Sequence, residues 1–363
     1  MRRPIIALSA VALLAGCASA PGGGQTSSTG TTVGASQSSS AKATPTVSGA
    51  DYKACLIAES AGLEDTGVNQ AVKAGLDKAS KNTGISVETA VASDEGSYAS
   101  TVEEQAGKGC QLVTVIGHGD AAIAAATAHS DVNFLVVGAQ PTTALPNLKG
   151  LIFDASGAAF LAGYLAAAQS ASGTVATFGG SQDPDTVTAM DGFVGGVAHH
   201  NQVKGTSVKA LGWDSTTQQG SILPGNDAAA ARTVTEEFVS QGADIVYPVA
   251  GQASTGALEV AQKSGGKLAV IWDGFDGCET TNACPVILTS VVDNITDVVA
   301  DLVTKATTGT FESATTTATM ESGGVVLAPY HDFDSKVSQE TKEEIEKLRA
   351  GVQANPQRPS AAG

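Results

Sequence analysis

Positive charge is scarce in this chain. It carries 20 Lys and Arg against 36 Asp and Glu, for a formal net charge of −16. A nucleic-acid partner needs a basic face, so this composition argues against one. Aromatic residues are also few, at 4 %, and the acidic excess reads first as a solubility device. Only one long apolar segment is present, at the N-terminus, so nothing further along is expected to span a membrane. The motifs that carry much enzyme chemistry are missing: the sequence has no Gly-x-Ser-x-Gly elbow, no His-Glu-x-x-His and no Walker loop. No Cys-x-x-Cys occurs, and no His lies near a Cys in sequence, which leaves a metal site as a minor alternative. We therefore expect no catalytic residue, no metal and no cofactor.

What is present begins at the first residues. Arg2 and Arg3 precede an apolar run, residues 5–14, which ends in Leu14-Ala15-Gly16-Cys17. A basic start, a short apolar stretch and small residues before a break make an export signal. The run is too short to cross a bilayer as a helix. Its ending resembles the lipobox of bacterial lipoproteins. That resemblance implies cleavage before Cys17 and acylation of its thiol; an ordinary secretory signal with a chance Cys is the alternative. Loss of Arg2 and Arg3 would take the charge of −16 to −18. Residues 18–50 are almost all Ala, Gly, Ser, Thr, Gln and Pro, with Lys42 the only charge. Such a segment cannot bury enough apolar surface to order itself. As a tether it reaches about 30 Å. The expected place is the cell membrane, lipid-anchored on the extracytoplasmic face.

Cys17 aside, four cysteines remain: Cys55, Cys110, Cys278 and Cys284. An even number in an exported chain reads as disulfides, with three pairings open. Cys278 and Cys284 flank a short polar loop. Cys55 and Cys110 each open an apolar strand, and neighbouring parallel strands would bring them together.

Apolar runs of strand length alternate with helical periodicity. Strands are expected at 54–58, 112–116, 133–137, 174–178, 208–211, 245–249 and 268–272. Helices are expected at 69–81, 120–129, 160–170, 186–199, 228–241, 254–264, 294–305 and 339–350. Repeated βα units mean an α/β fold with parallel sheets covered by helices. Two such runs, split near Asp154, predict two Rossmann-like lobes. Ligands in open α/β sheets bind at the carboxyl ends of strands, so the loops there hold the candidate site.

The stretches Glu64-Asp65-Thr66-Gly67-Val68-Asn69-Gln70, Phe160-Leu161-Ala162-Gly163-Tyr164, Gln241-Gly242-Ala243-Asp244, Ala250-Gly251, Leu288-Thr289-Ser290-Val291 and Val326-Leu327-Ala328-Pro329-Tyr330 resemble, in order and spacing, the basic membrane lipoproteins. These are type I periplasmic binding proteins whose best-understood members capture purine nucleosides for ABC importers. The resemblance implies two lobes joined by three crossovers, near Asp154, Val292 and Thr319. It divides the chain into residues 51–154 with 293–319, residues 155–292 with 320–334, and a C-terminal helix and tail, 335–363. It implies a small-molecule ligand, a purine nucleoside in the best-understood members, and a permease partner.

The implied binding positions carry over unevenly. Asn69, Gly251 and Asp273 match the family. Glu59 stands for the usual Asp, His118 for an aromatic residue, Gly138 for an acid and Ile222 for another aromatic. Asp293 stands where a Lys is expected. Together these changes make an acidic cleft with weaker stacking, suited to a donor-rich or cationic ligand and poorly suited to anions. Alternatively, Asp293 caps the helix that follows it and faces away.

Other motifs have plain readings. Gly117-His118-Gly119-Asp120 resembles a dinucleotide fingerprint but lacks the acid on the next strand, and reads better as a tight βα turn. His199-His200 reads as a helix end capping carbonyls. Glu64-Asp65 reads as stabilising a helix N-terminus. The leading functional expectation is a solute receptor for an ABC importer. A membrane-anchored surface or sensor protein that kept the fold but lost nucleoside binding is the second, and a cleft enzyme the third. Sugar-responsive repressors share the fold class, but the export signal and the missing DNA-binding helices exclude them.

Overall fold

The computed structural model describes residues 51–225 and 227–354. Cys17, the tether 17–50 and the tail beyond 354 lie outside the described residues. The chain begins with β1 (Lys53–Ala58), α1 (Val68–Thr83), β2 (Ser86–Val91), α2 (Tyr98–Ala106), β3 (Leu112–Ile116), α3 (Gly119–Ala128), β4 (Asn133–Val137) and β5 (Leu148–Phe153). It continues with α4 (Ser156–Gln169), β6 (Thr174–Gly179), α5 (Pro184–Lys204), β7 (Lys209–Leu211), a small hairpin of β8 (Trp213–Asp214) and β9 (Gln219–Gly220), α6 (Ala228–Ser240) and β10 (Ile245–Val249). Then follow α7 (Thr255–Lys263), β11 (Ala269–Gly274), the short α8 (Gly277–Thr280), β12 (Ile287–Asp293), α9 (Ile295–Thr307), β13 (Thr316–Ala318), β14 (Val325–Leu327) and α10 (Gln339–Ala354).

These strands form two six-stranded sheets, in the orders β13-β5-β4-β3-β1-β2 and β14-β12-β11-β10-β6-β7. All pairings within the first sheet are parallel. In the second, only β14 runs antiparallel, against β12. Helices cover both faces, which is why the strands read as continuous apolar runs. In β1, Leu56 faces one core with α1 and α9, while Cys55 and Ile57 face another with α2 and α3. The second sheet is likewise buried against α4 and α5 on one side and α6 and α7 on the other.

The chain passes between the sheets three times. It leaves β5 at Asp154, whose N–H donates to Ala318 O at 2.8 Å. It returns from β12 into α9, and crosses again from β13 to β14, where Val325 N–H meets Thr319 O at 3.1 Å. All three strands crossed lie at carboxyl ends, so the crossovers flank the space between the sheets.

Strands β2, β5, β8, β9, β12, β13 and β14 and helices α2 and α8 are additions to the elements expected from periodicity. β2 is an edge strand, Ser-Val-Glu-Thr-Ala-Val, without an apolar run. β5 is interrupted by Lys149 and Gly150; the Lys149 amine donates to the carbonyls of Glu312 at 3.0 Å and Ala314 at 2.6 Å, so it is buried without an ion pair. Helix α10 runs four residues past the expected end.

Close packing of α4 on α5 depends on glycine. A Cβ at Gly163 would lie 1.9 Å from Phe193 O, and one at Gly196 would lie 2.0 Å from Phe160 O. His199 and His200 sit in this contact. His200 packs edge-on against Tyr164 with ring centroids 5.0 Å apart, and its Nδ1 meets Thr206 Oγ1 at 3.1 Å. The pair therefore packs as rings inside α5 instead of capping carbonyls, because the helix continues to Lys204.

Disulfides join Cys55 to Cys110 and Cys278 to Cys284, with Cα atoms 5.9 Å and 4.4 Å apart. The first is set by strand adjacency: Ala54 pairs with Leu112 and Cys55 with Val113.

Candidate functional site

A cavity of about 210 Å³ lies between the carboxyl ends of the two sheets. The first sheet contributes Phe153 at the end of β5 and Gly138 after β4. The second contributes Val249 from β10, Gly251 after it, Asp273 from β11 and Asp293 from β12. The walls are completed by Ala155 and by one turn of α5, Asp185, Thr186 and Ala189. Local sequence fixes that turn. Pro184 begins α5, and Asp183 caps it by accepting from the N–H groups of Asp185 at 3.0 Å and Thr186 at 2.9 Å.

Three carboxyls, Asp185, Asp273 and Asp293, thus face one small space, and no Lys, Arg or His lines it. Burial pushes the Asp273 carboxyl up to about 6, opposed by the hydrogen bond it accepts from Tyr247 Oη. Burial, then the nearby carboxyls of Asp273 and Asp185, holds Asp293 well above the usual carboxylate range. Burial and the neighbouring Asp183 and Asp154 raise Asp185 as well. The common cause is loss of hydration without a compensating cation.

Asp293 does not cap α9. The residue at the cap position is Asn294, and Asp293 lines the cavity instead. Four of the positions singled out in sequence, Gly138, Gly251, Asp273 and Asp293, therefore share one cavity. The other four do not line it.

His118 lies in a separate depression of about 310 Å³ on the first lobe. Its ring stacks on Tyr98, with centroids 3.8 Å apart. Its Nε2 lies 3.7 Å from Glu59 Oε1 and its Nδ1 3.4 Å from Glu95 Oε1. His118 has φ +25°, in a region that costs a residue with a Cβ, because two residues alone join β3 to α3. That is the tight βα turn read from sequence. Asn69 is fully buried, and its amide is committed to protein: Oδ1 accepts from Glu59 N–H at 2.9 Å, and Nδ2 donates to Asp65 at 2.8 Å. Asp65 also accepts from the N–H groups of Gly67, Asn69 and Gln70, which stabilises the start of α1. Ile222 forms a bridge to Gly179 and packs beside the α5 turn in the second-lobe core.

Sequence reading missed Asp185, Thr186 and Tyr247. Asp183-Pro184 after a strand is a helix-start signal that places Asp185 at the strand-end surface. Nothing in the sequence marks Tyr247, which sits inside an apolar strand. Asp276, Cys278 and His331 are the one set among the described residues with three metal-ligating atoms within 4.8 Å of one another. Cys278 is bonded to Cys284, and His331 Nε2 lies 2.7 Å from Asp276 Oδ2, so the set is already satisfied without an ion.

Two parallel α/β sheets with a cavity between their strand ends define the two-lobed binding-protein fold. Residues 53–356 match the family described as ABC transporter substrate-binding protein PnrA-like, and residues 1–18 match the prokaryotic membrane lipoprotein lipid attachment site. The chain belongs to the PnrA-like family of substrate-binding proteins. It is 26 % identical to the ABC transporter nucleoside-binding protein BmpA of Lactococcus lactis subsp. cremoris, over 96 % of this chain and 94 % of that one. It is 25 % identical to basic membrane protein B of Borreliella afzelii, over 65 % of this chain and 68 % of that one. Among solved structures, a solute-binding protein of an Aeropyrum pernix K1 ABC transporter system superposes with a TM-score of 0.68 at 18 % identity, covering 84 % of this chain and 91 % of that one. That likeness supports the fold. The attachment-site match makes the chain a membrane lipoprotein by sequence.

Proposed function

We propose that this protein is a lipid-anchored receptor on the extracytoplasmic face that captures one small solute and hands it to an ABC permease. Its two lobes would be residues 51–154 with 293–319 and residues 155–292 with 320–334. The observation that carries the reading is the 210 Å³ cavity built from the strand ends of both sheets. A solute there touches both lobes at once, so its binding energy favours the closed arrangement. The nucleoside-binding relative from Lactococcus lactis makes a molecule of nucleoside size the first class to consider. The cavity residues have the chemistry to bind and orient a ligand. The receptor releases the ligand unchanged.

The test is extraction of the purified full-length protein with cold methanol, followed by mass spectrometry. One unmodified small molecule, close to one per chain, is the expected result. A protein that carries no solute, and whose melting temperature no candidate solute raises, is no receptor. Turnover of an added solute would move it to the enzyme class.

A further inference from the structure

The three cavity carboxyls differ in what else they do. Asp185 lies in the first turn of α5, where an acid stabilises the helix whatever the cavity holds. Asp273 is engaged by the Tyr247 hydroxyl. Asp293 has neither duty. It is half-buried at the end of β12, where it lines the cavity; its side chain hydrogen-bonds to no described residue, and the charges acting on it are the like charges of Asp273 and Asp185. A half-buried carboxyl that faces a cavity beside two like-charged groups and has no protein partner is best satisfied by a group in the cavity that brings it a positive charge or a donor.

The spacing of the acids limits what that is. They are not among the sets that bring three ligating atoms within 4.8 Å of one another, a condition met among the described residues only at Asp276, Cys278 and His331. They are therefore spread around the wall instead of converging on one metal ion. A group that satisfies them must itself be extended. We propose that the cavity selects a small organic cation, with a positively charged nitrogen against Asp293. This inference rests on the receptor reading above and names the class of its ligand. Specificity follows from the same geometry. An anion or phosphate ester meets three acids and no base, and an uncharged nucleoside leaves Asp293 without a cation.

The experiment compares probes of nearly equal shape: adenosine, which is neutral, and 1-methyladenosine, which carries a positive charge on its base. Agmatine serves as a cation that is not a nucleoside. Each is titrated calorimetrically into full-length wild type, Asp293→Asn and Asp293→Lys in detergent. Asp293→Asn keeps the shape and removes only the charge, so it is expected to fold. The solute extracted from the wild type is also assigned a charge by mass spectrometry and titration. We expect a cationic extracted solute, at least tenfold preference for a cationic probe over adenosine, loss of that preference in Asp293→Asn, and its reversal in Asp293→Lys. An uncharged or anionic extracted solute, or adenosine bound as tightly as the cations in both wild type and Asp293→Asn, overturns this proposal and leaves the receptor reading standing. No extracted solute and no probe binding overturns both.

Discussion

Asp273→Asn should make the ligand-free protein more stable at neutral pH, and only there. Asp273 sits at the cavity wall with its carboxyl raised from an ordinary 3.8 to about 6 by burial. A carboxyl raised in the folded state favours folding while it is protonated. That contribution is complete below about 4, is lost as pH rises through about 6, and stays lost above it. Ionising the group in the native state costs about 3 kcal/mol over this interval, from 1.36 kcal/mol per pH unit. Asn removes the ionisation and keeps an oxygen that can accept from Tyr247. The variant and wild type should therefore have nearly equal melting temperatures at pH 4. By pH 7 the variant should melt higher by roughly 5 °C for a domain of this size. Thermal scans of solute-stripped protein at half-unit steps from pH 4 to pH 8 test this. A difference constant across pH, or a variant that melts lower at pH 7, would refute the argument that the cavity acids are held at a cost to stability. The expected gain is a trade of function for stability, the usual direction at a binding site.

Other expectations are independent of the cavity. Cys17→Ser should leave the body folded and move the protein from the detergent phase to the aqueous phase on fractionation. Replacing Cys55 and Cys110 by Ala should cost about 4 kcal/mol, and replacing Cys278 and Cys284 about 2 kcal/mol, because the first pair closes a loop of 55 residues and the second one of 6; denaturation midpoints with intact second disulfides decide it. Gly163→Ala should destabilise by about 3 kcal/mol, since its Cβ would strike the Phe193 carbonyl and force α4 off α5. A melting temperature within a degree of wild type would show that the two helices separate freely.

Parallel sheets advertise themselves. Strands such as β3, Leu-Val-Thr-Val-Ile, are buried on both faces, so hydrophobicity alone locates them. Edge strands such as β2 lack that run, and β5 hides its register behind Lys149, whose amine is satisfied by carbonyls distant in sequence. The cavity was only partly legible. Asp273 and Gly251 stand at strand ends, where an α/β fold places ligands. Asp293 also stands at a strand end, but whether it caps α9 or faces the cavity depends on the β12–β14 pairing that positions Asn294 next to it. Asp185 belongs to a helix start, which ordinarily needs no ligand to explain it. His118 and Glu59 are adjacent in space, yet neither lines the cavity between the sheets: the two-residue turn after β3 directs the His118 ring onto Tyr98, in a different depression.

The most direct test of the account is hydrogen exchange on the same full-length protein before and after its solute is stripped. A solute held by the strand ends of both sheets should protect peptides from the two lobes together: those containing Phe153 and Ala155, Asp185 to Ala189, Val249 to Gly251, Asp273 and Asp293. Stripping should raise exchange at all of these and leave distant segments such as α10 unchanged. Changes confined to one lobe, or centred on the His118 depression, would contradict a solute bound between the sheets.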